Sequence, residues 1–314
     1  VRTYMKITAL FFGVFAGCLS CIPAHAADYL WNGGNGSWTD SGAWRLDDSS
    51  ADWSNGNTAQ FQTDSSITVG SGISASGMLY NGAAITLNGG SLTLTGAAAG
   101  NNGGSATLSN TGLILDAPNA EDSYEVRDTS LTGSATLAKT GAGTVTLDGA
   151  HTASGVWNIN AGTLVFTGER NITASDNNRI NGKINIASGA VLDASNGRLF
   201  HNGVSTANFQ SPTITLNGGT LKLNQFGYDS ASLGKLHNNF YALKFASGTS
   251  SRIVISQGYE SGGTASRGIY IAGWGTTATI ELGANQTLTW TSSNAQNKEA
   301  IIYETGASNA QELT

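Results

Sequence analysis

A ten-residue unit, apolar-x-apolar-x-x-Gly-x-apolar-x-apolar, recurs along the chain as Ile85 to Leu94 (ITLNGGSLTL), Trp157 to Phe166 (WNINAGTLVF) and Ile214 to Leu223 (ITLNGGTLKL). A looser copy spans Ile184 to Asp193 (INIASGAVLD). Self-similarity in a Gly-, Asn- and Thr-rich background points to stacked copies of one small β unit, each burying its apolar face against the next. Function is then expected along an extended surface rather than in a cleft.

From Ile67 to Ile302 short runs alternate apolar and polar residues, as in Leu92-Thr93-Leu94, Leu113-Ile114-Leu115, Val145-Thr146-Leu147 and Ile253-Val254-Ile255. Such alternation buries one face of a strand and wets the other, and Thr suits the wet face because it is β-branched. Asn-Gly, Gly-Gly and Asp-Gly steps between the runs permit positive φ in tight turns. Two architectures share this pattern. Asn-Gly between alternating runs is a strong hairpin signal, which would suit an antiparallel β-sandwich. Alternatively each run lies on one face of a right-handed parallel β-helix, and the Asn/Gly step is a corner between faces. Recurrence of like residues in like places favours the β-helix. Spacings of roughly 20 residues per coil would allow about a dozen coils and, at about 4.8 Å per strand, a rod on the order of 60 Å long.

Composition agrees with an ordered β protein: 42 Gly, only 3 Pro, 11% charged and 39% hydrophobic residues. The first 26 residues differ. Arg2 and Lys6 precede an apolar stretch from Ile7 to Leu19, and Ala24-His25-Ala26 is a small-x-small cleavage site, so residues 1–26 read as a signal peptide. The stretch is shorter than the roughly 20 residues that span a bilayer. Cys18 and Cys21 both fall in this leader, so the mature chain is expected to hold no disulfide. Removing Arg2 and Lys6 leaves 13 basic against 21 acidic residues, a net charge of 13 − 21 = −8. The basic residues are scattered singly, which disfavours a nucleic-acid partner.

Residues 27–66 form a separate block in which four of the seven tryptophans stand, at positions 31, 38, 44 and 53. An end unit that shields the first coil's apolar face and blunts its open edge would use such residues, so the block reads as an aromatic-rich N-terminal cap. A second reading is a sugar-stacking platform of exposed rings. Residues 67–314 then constitute the β-helix, with Asn196 to Ser211 and Gln225 to Tyr241 as loops projecting from it.

Within Leu137 to Phe166 (LAKTGAGTVTLDGAHTASGVWNINAGTLVF), Leu137, Lys139, Gly141, Gly143, Thr144, Leu147, Gly149, Ile159, Ala161, Gly162, Thr163 and Leu164 form a pattern. It resembles the autotransporter-associated β-strand repeat of Gram-negative autotransporter passenger domains, and Trp31 to Phe61 resembles the start of such passengers. The resemblance implies a secreted, pertactin-like right-handed β-helix carried across the outer membrane by a C-terminal β-barrel, and serving adhesion, aggregation or surface coating. A barrel needs many strands of about ten residues with outward apolar alternation. The sequence after Trp290 has none, so the expectation is a truncated autotransporter or an export barrel encoded elsewhere.

Parallel β-helices also serve polysaccharide lyases and hydrolases, whose sites gather acids on one coil face. The dense acidic segment is Glu121, Asp122, Glu125 and Asp128 around Tyr124, with Arg127 as a possible clamp. A solvated loop is the plainer reading. Asp47, Asp48 and Asp52 lie in the cap, and Asp193, Asp229, Glu260 and Glu281 are isolated. His151, His201 and His237 are far apart without zinc-site spacing, and Gly-x-Ser-x-Gly is absent. No Asp-bearing calcium nonapeptide recurs, and Arg-Gly-Asp is missing. Asn171-Ile172-Thr173 and Asn285-Gln286-Thr287 are formal glycosylation sequons. The resulting expectation is an exported surface protein without catalytic, cofactor or metal residues. Its partner is an extracellular surface, a glycan or a second copy; the alternative is a carbohydrate-active β-helix using the acids near Tyr124.

Overall fold

Alternate residues of nearly every run point inward, and coil after coil lays those residues over one another. The structure, a computed structural model, describes residues 26–153, 155–168, 184–197, 213–223, 242–246, 249–255, 269–271, 279–281, 287–292 and 301–303. Its large parallel sheet nearly closes round an axis, the arrangement of a parallel β-helix. Residues 1–25 of the leader, both projecting loops apart from Asn196 and Gly197, the sequon at Asn171, Asn285 and Gln286 of the other sequon, His201 and His237 lie outside the described residues.

Three faces make up the N-terminal coils. The first face stacks Asp28–Trp31, Asn57–Phe61, the second half of Ile73–Asn81, Ala98–Asn101, Ser123–Val126, Thr144–Leu147, Thr163–Phe166, Val191–Ala194, Thr220–Leu223 and Ser250–Ile255. The second face stacks the start of Ile73–Asn81, Ser91–Leu94, Gly112–Asp116, Thr136–Thr140, Trp157–Ile159, Ile184–Ile186, Thr213–Leu216 and Ala242–Phe245. The third stacks Gly36–Ser37, Ser65–Thr68, Ala84–Asn88, Ser105–Ser109 and Thr129–Thr132. All of these pairs are parallel, which rules out the sandwich; in a sandwich the Asn-Gly steps would join antiparallel neighbours.

Inward columns carry the stability. On the second face Ile73, Leu92, Leu113, Leu137, Trp157, Ile184 and Ile214 follow one another in register, all buried. On the first, Val145, Leu164, Leu192, Leu221 and Ile253 do the same. Each such side chain contributes about 1.5–3 kcal/mol by leaving water. No cysteine is needed for that.

The ten-residue units occupy two different corners. Ile85 to Leu94 runs from the third face to the second, whereas the copies at 157–166, 184–193 and 214–223 run from the second to the first. The unit therefore specifies strand-corner-strand and not a position around the coil. Gly162 shows why the corner needs glycine: its φ is +61°, and a Cβ there would strike the carbonyl oxygens of Gly143 and Gly141 in the coil before.

Coil length is not constant. From Leu137 to Trp157 is 20 residues, from Trp157 to Ile184 27, and from Ile184 to Ile214 30. The added residues fall between a first-face strand and the next second-face strand, where earlier coils place their third-face strand.

The N-terminal end is closed by a hairpin. Trp44–Leu46 pairs antiparallel with Asp28–Trp31 and also with Ser49–Ala51, the turn at Asp47 and Asp48 having φ of 49° and 63°. Positive φ at both central residues gives a tight two-residue turn. The outermost strand is short and carries exposed Ser49 and Ser50, which limits further edge pairing.

Candidate functional site

The four cap tryptophans form no binding platform. Trp31, Trp38 and Trp44 are buried and Trp53 is half-buried. Trp38 and Trp53 meet edge-on at 83° with centroids 5.2 Å apart, and Trp31 and Trp44 at 76° and 5.1 Å. Trp44 also packs against Phe61, and its Nε1 donates to the Trp38 carbonyl oxygen at 2.8 Å. Rings crossed in this way fill the end of the core; stacking on sugar needs coplanar rings in solvent.

The acidic segment near Tyr124 is dispersed. Glu121, Glu125, Arg127 and Asp128 are exposed, and Arg127 pairs with Glu125 at 3.2 Å. Asp122 Oδ2 accepts from the backbone N and the Nδ2 of Asn119, closing a local turn. Asp128 Oδ2 accepts from Gly100 N, tying one coil to another. Tyr124 points toward the core, and its hydroxyl donates to the carbonyl oxygens of Leu94 at 2.7 Å and Asp116 at 3.2 Å. Burial, reinforced by the Asp116 carboxylate, pushes that hydroxyl well above its ordinary value. It is therefore a neutral donor, not a base.

In the cap, Arg45 pairs with Asp48 at 3.0 Å and Asp52 accepts from Gly42 N, so these acids serve turns. Asp193 meets Lys222 on the outer first face at 3.1 Å. Burial alone would raise its carboxyl, but donation from Ser195 and the nearby Lys222 ammonium outweigh this and hold it low. His151 is buried against Trp157 and Phe166, and its Nδ1 accepts from Leu131 N. It is a core residue, which its isolated place in the sequence did not show. Among the described residues, no group of three or more His, Cys, Asp or Glu side chains is arranged to hold a metal ion.

The most regular outward surface is the third face. One column runs Ser66, Thr86, Thr107, Ser130 and a second, two residues along, runs Ser37, Thr68, Asn88, Ser109, Thr132. Ala84 and Ser105 extend it at one side. None of these outward side chains is charged, and all are exposed or half-buried. Coil spacing sets neighbours in a column about 4.8 Å apart, while two residues along a strand give about 6.6 Å. Asn110 braces the edge, its Nδ2 donating to Asn88 Oδ1 at 3.4 Å and to Ser109 Oγ at 3.3 Å. By contrast, the outward first face carries Glu125, Asp193, Lys222 and Arg252. Thr on wet strand faces was expected along the whole rod. Thr and Asn also line the outer second face, where Asn185 Nδ2 donates to Asn158 Oδ1 at 2.8 Å. What sets the third face apart is that its strands hold no Asp, Glu, Lys or Arg, which was visible in the sequence, but only pairing shows that those strands adjoin.

Residues 137–166 match the family described as the passenger-associated-transport-repeat. The match covers the second-face and first-face strands of two successive coils. No curated protein and no solved structure matches the chain.

Proposed function

We infer that this chain, a parallel β-helix bearing an autotransporter passenger repeat, is an exported passenger-like protein that works by surface contact, in adhesion, aggregation or cell-surface structure. The repeat family implies export to the cell surface or extracellular space. The leader at residues 1–26 would start that route by cleavage after Ala26.

The observation that carries this reading is the uncharged two-column array on the third face. Repeated hydroxyl and amide groups at fixed spacing offer many weak hydrogen bonds to a repetitive neutral partner, such as a glycan or a like surface. No residue of the reading performs a chemical step; affinity accrues over area.

Beads coated with the purified mature chain test it. They are expected to aggregate or to be retained on neutral polysaccharide or on cells, and a Thr86→Lys/Thr107→Lys variant should lose that retention while Thr146→Lys on the first face keeps it. Absence of both aggregation and retention for the parent protein would overturn the reading.

A further inference from the structure

Stacks of near-identical coils have an intrinsic ambiguity: a strand that docks one coil too far buries almost the same apolar area as one that docks correctly. The second inward column of the second face runs Ala75, Leu94, Leu115, Lys139, Ile159, Ile186 and Leu216 in register. One cation interrupts it. Lys139 is fully buried between Leu115 and Ile159.

Its Nζ donates to the carbonyl oxygens of Thr140 at 2.6 Å and Gly141 at 2.9 Å in its own corner, and of Ala161 at 3.4 Å in the corner of the next coil. Burial lowers its proton affinity, and the Asp116 carboxylate of the preceding coil acts the other way. Asp116 itself accepts from Thr140 Oγ1 at 2.8 Å.

The next corner is not equivalent. Residues 160–162 separate the strands there, whereas residues 187–190 separate Ile184–Ile186 from Val191–Ala194. Gly162 lies hard against the backbone of Gly143 and Gly141, while a Cβ at Gly189 would meet nothing within 4 Å. A coil displaced by one level would thus bring a longer, looser corner beneath the ammonium.

We propose that Lys139 sets coil register: its ammonium finds all three carbonyls only when the coil of residues 157–166 lies directly on that of residues 136–147. A misplaced coil leaves a buried donor unsatisfied, a penalty that a Leu at this level would not impose. The role is independent of what the outer surface binds.

The test uses the full chain with Cys18→Ser and Cys21→Ser and two cysteine reporters. Ala138→Cys with Asn158→Cys joins register partners, and Ala138→Cys with Asn185→Cys joins positions two coils apart. After refolding from urea under oxidation, the parent should cross-link only through the first pair. Lys139→Leu should lose yield at the first pair and gain the second, with no drop in urea midpoint. Full native cross-linking with a silent second pair in Lys139→Leu would overturn the proposal. So would failure of both Lys139→Leu and Lys139→Met to regain strand structure, since the lysine would then be a stabilising cap and not a register device.

Discussion

Tyr124 sits where the first-face strands diverge: Ser123–Val126 meets Ala98–Asn101 through the single pair Ala98 and Val126. Its ring packs on the core in that gap and its hydroxyl satisfies two backbone carbonyls from earlier in the chain. An unfolded tyrosine ionises near pH 10. The folded value is raised, so the contribution of Tyr124 is complete below about pH 10 and is lost as pH rises beyond it. Tyr80, also buried and raised, acts in the same direction. Tyr124→Phe should lower stability at neutral pH by about 1 kcal/mol and flatten the alkaline fall in urea midpoint. An unchanged alkaline fall would refute the assignment. From sequence, Tyr124 was legible only as a neighbour of acids. Its inward orientation follows from pairing with Val145, which the one-dimensional pattern does not contain.

At the scale of strands and corners, glycines that look alike are under different constraints. Gly162 and Gly189 both have positive φ, at +61° and +75°. Gly189→Ala therefore meets only the left-handed penalty, about 1–2 kcal/mol. Gly162→Ala adds a backbone clash with the coil before and should cost clearly more, as read from urea midpoints of the two variants. Equal losses would mean that the corner at 160–162 relaxes freely. The strand runs themselves were readable, because period-two alternation reports one buried face whatever its neighbour. Which corner each ten-residue unit serves was not. A tight turn depends on local backbone chemistry alone, so the same motif serves at the third-to-second corner and at the second-to-first.

For the whole molecule, a stack in which each coil touches only its neighbours unfolds from its ends. The tryptophan hairpin protects one end. Trp44→Ala removes a buried ring that contacts Trp31, Trp38, Trp53 and Phe61, a change worth about 3–5 kcal/mol in a packed core. Amide exchange should then accelerate first in residues 28–61, with residues 113–166 affected little. Uniform acceleration along the chain would show instead one cooperative unit.

The repeat, the alternation and the glycine steps determined by themselves that this protein is built of short β strands joined by tight corners, because those signals arise within ten residues of chain; that the strands stack in parallel and do not form a sandwich was decided by pairing. The placement of groups distant in sequence belonged to the tertiary structure. It turned Trp38 and Trp44 into core, spread the acids around Tyr124 into separate turns, drew His151 inside, and gathered Ser66, Thr86, Thr107 and Ser130 on one uncharged face. The physical reason is that coil length varies from 19 residues between Ile73 and Leu92 to 30 between Ile184 and Ile214, so which side chains become neighbours depends on strand pairing and cannot be counted off at a fixed interval.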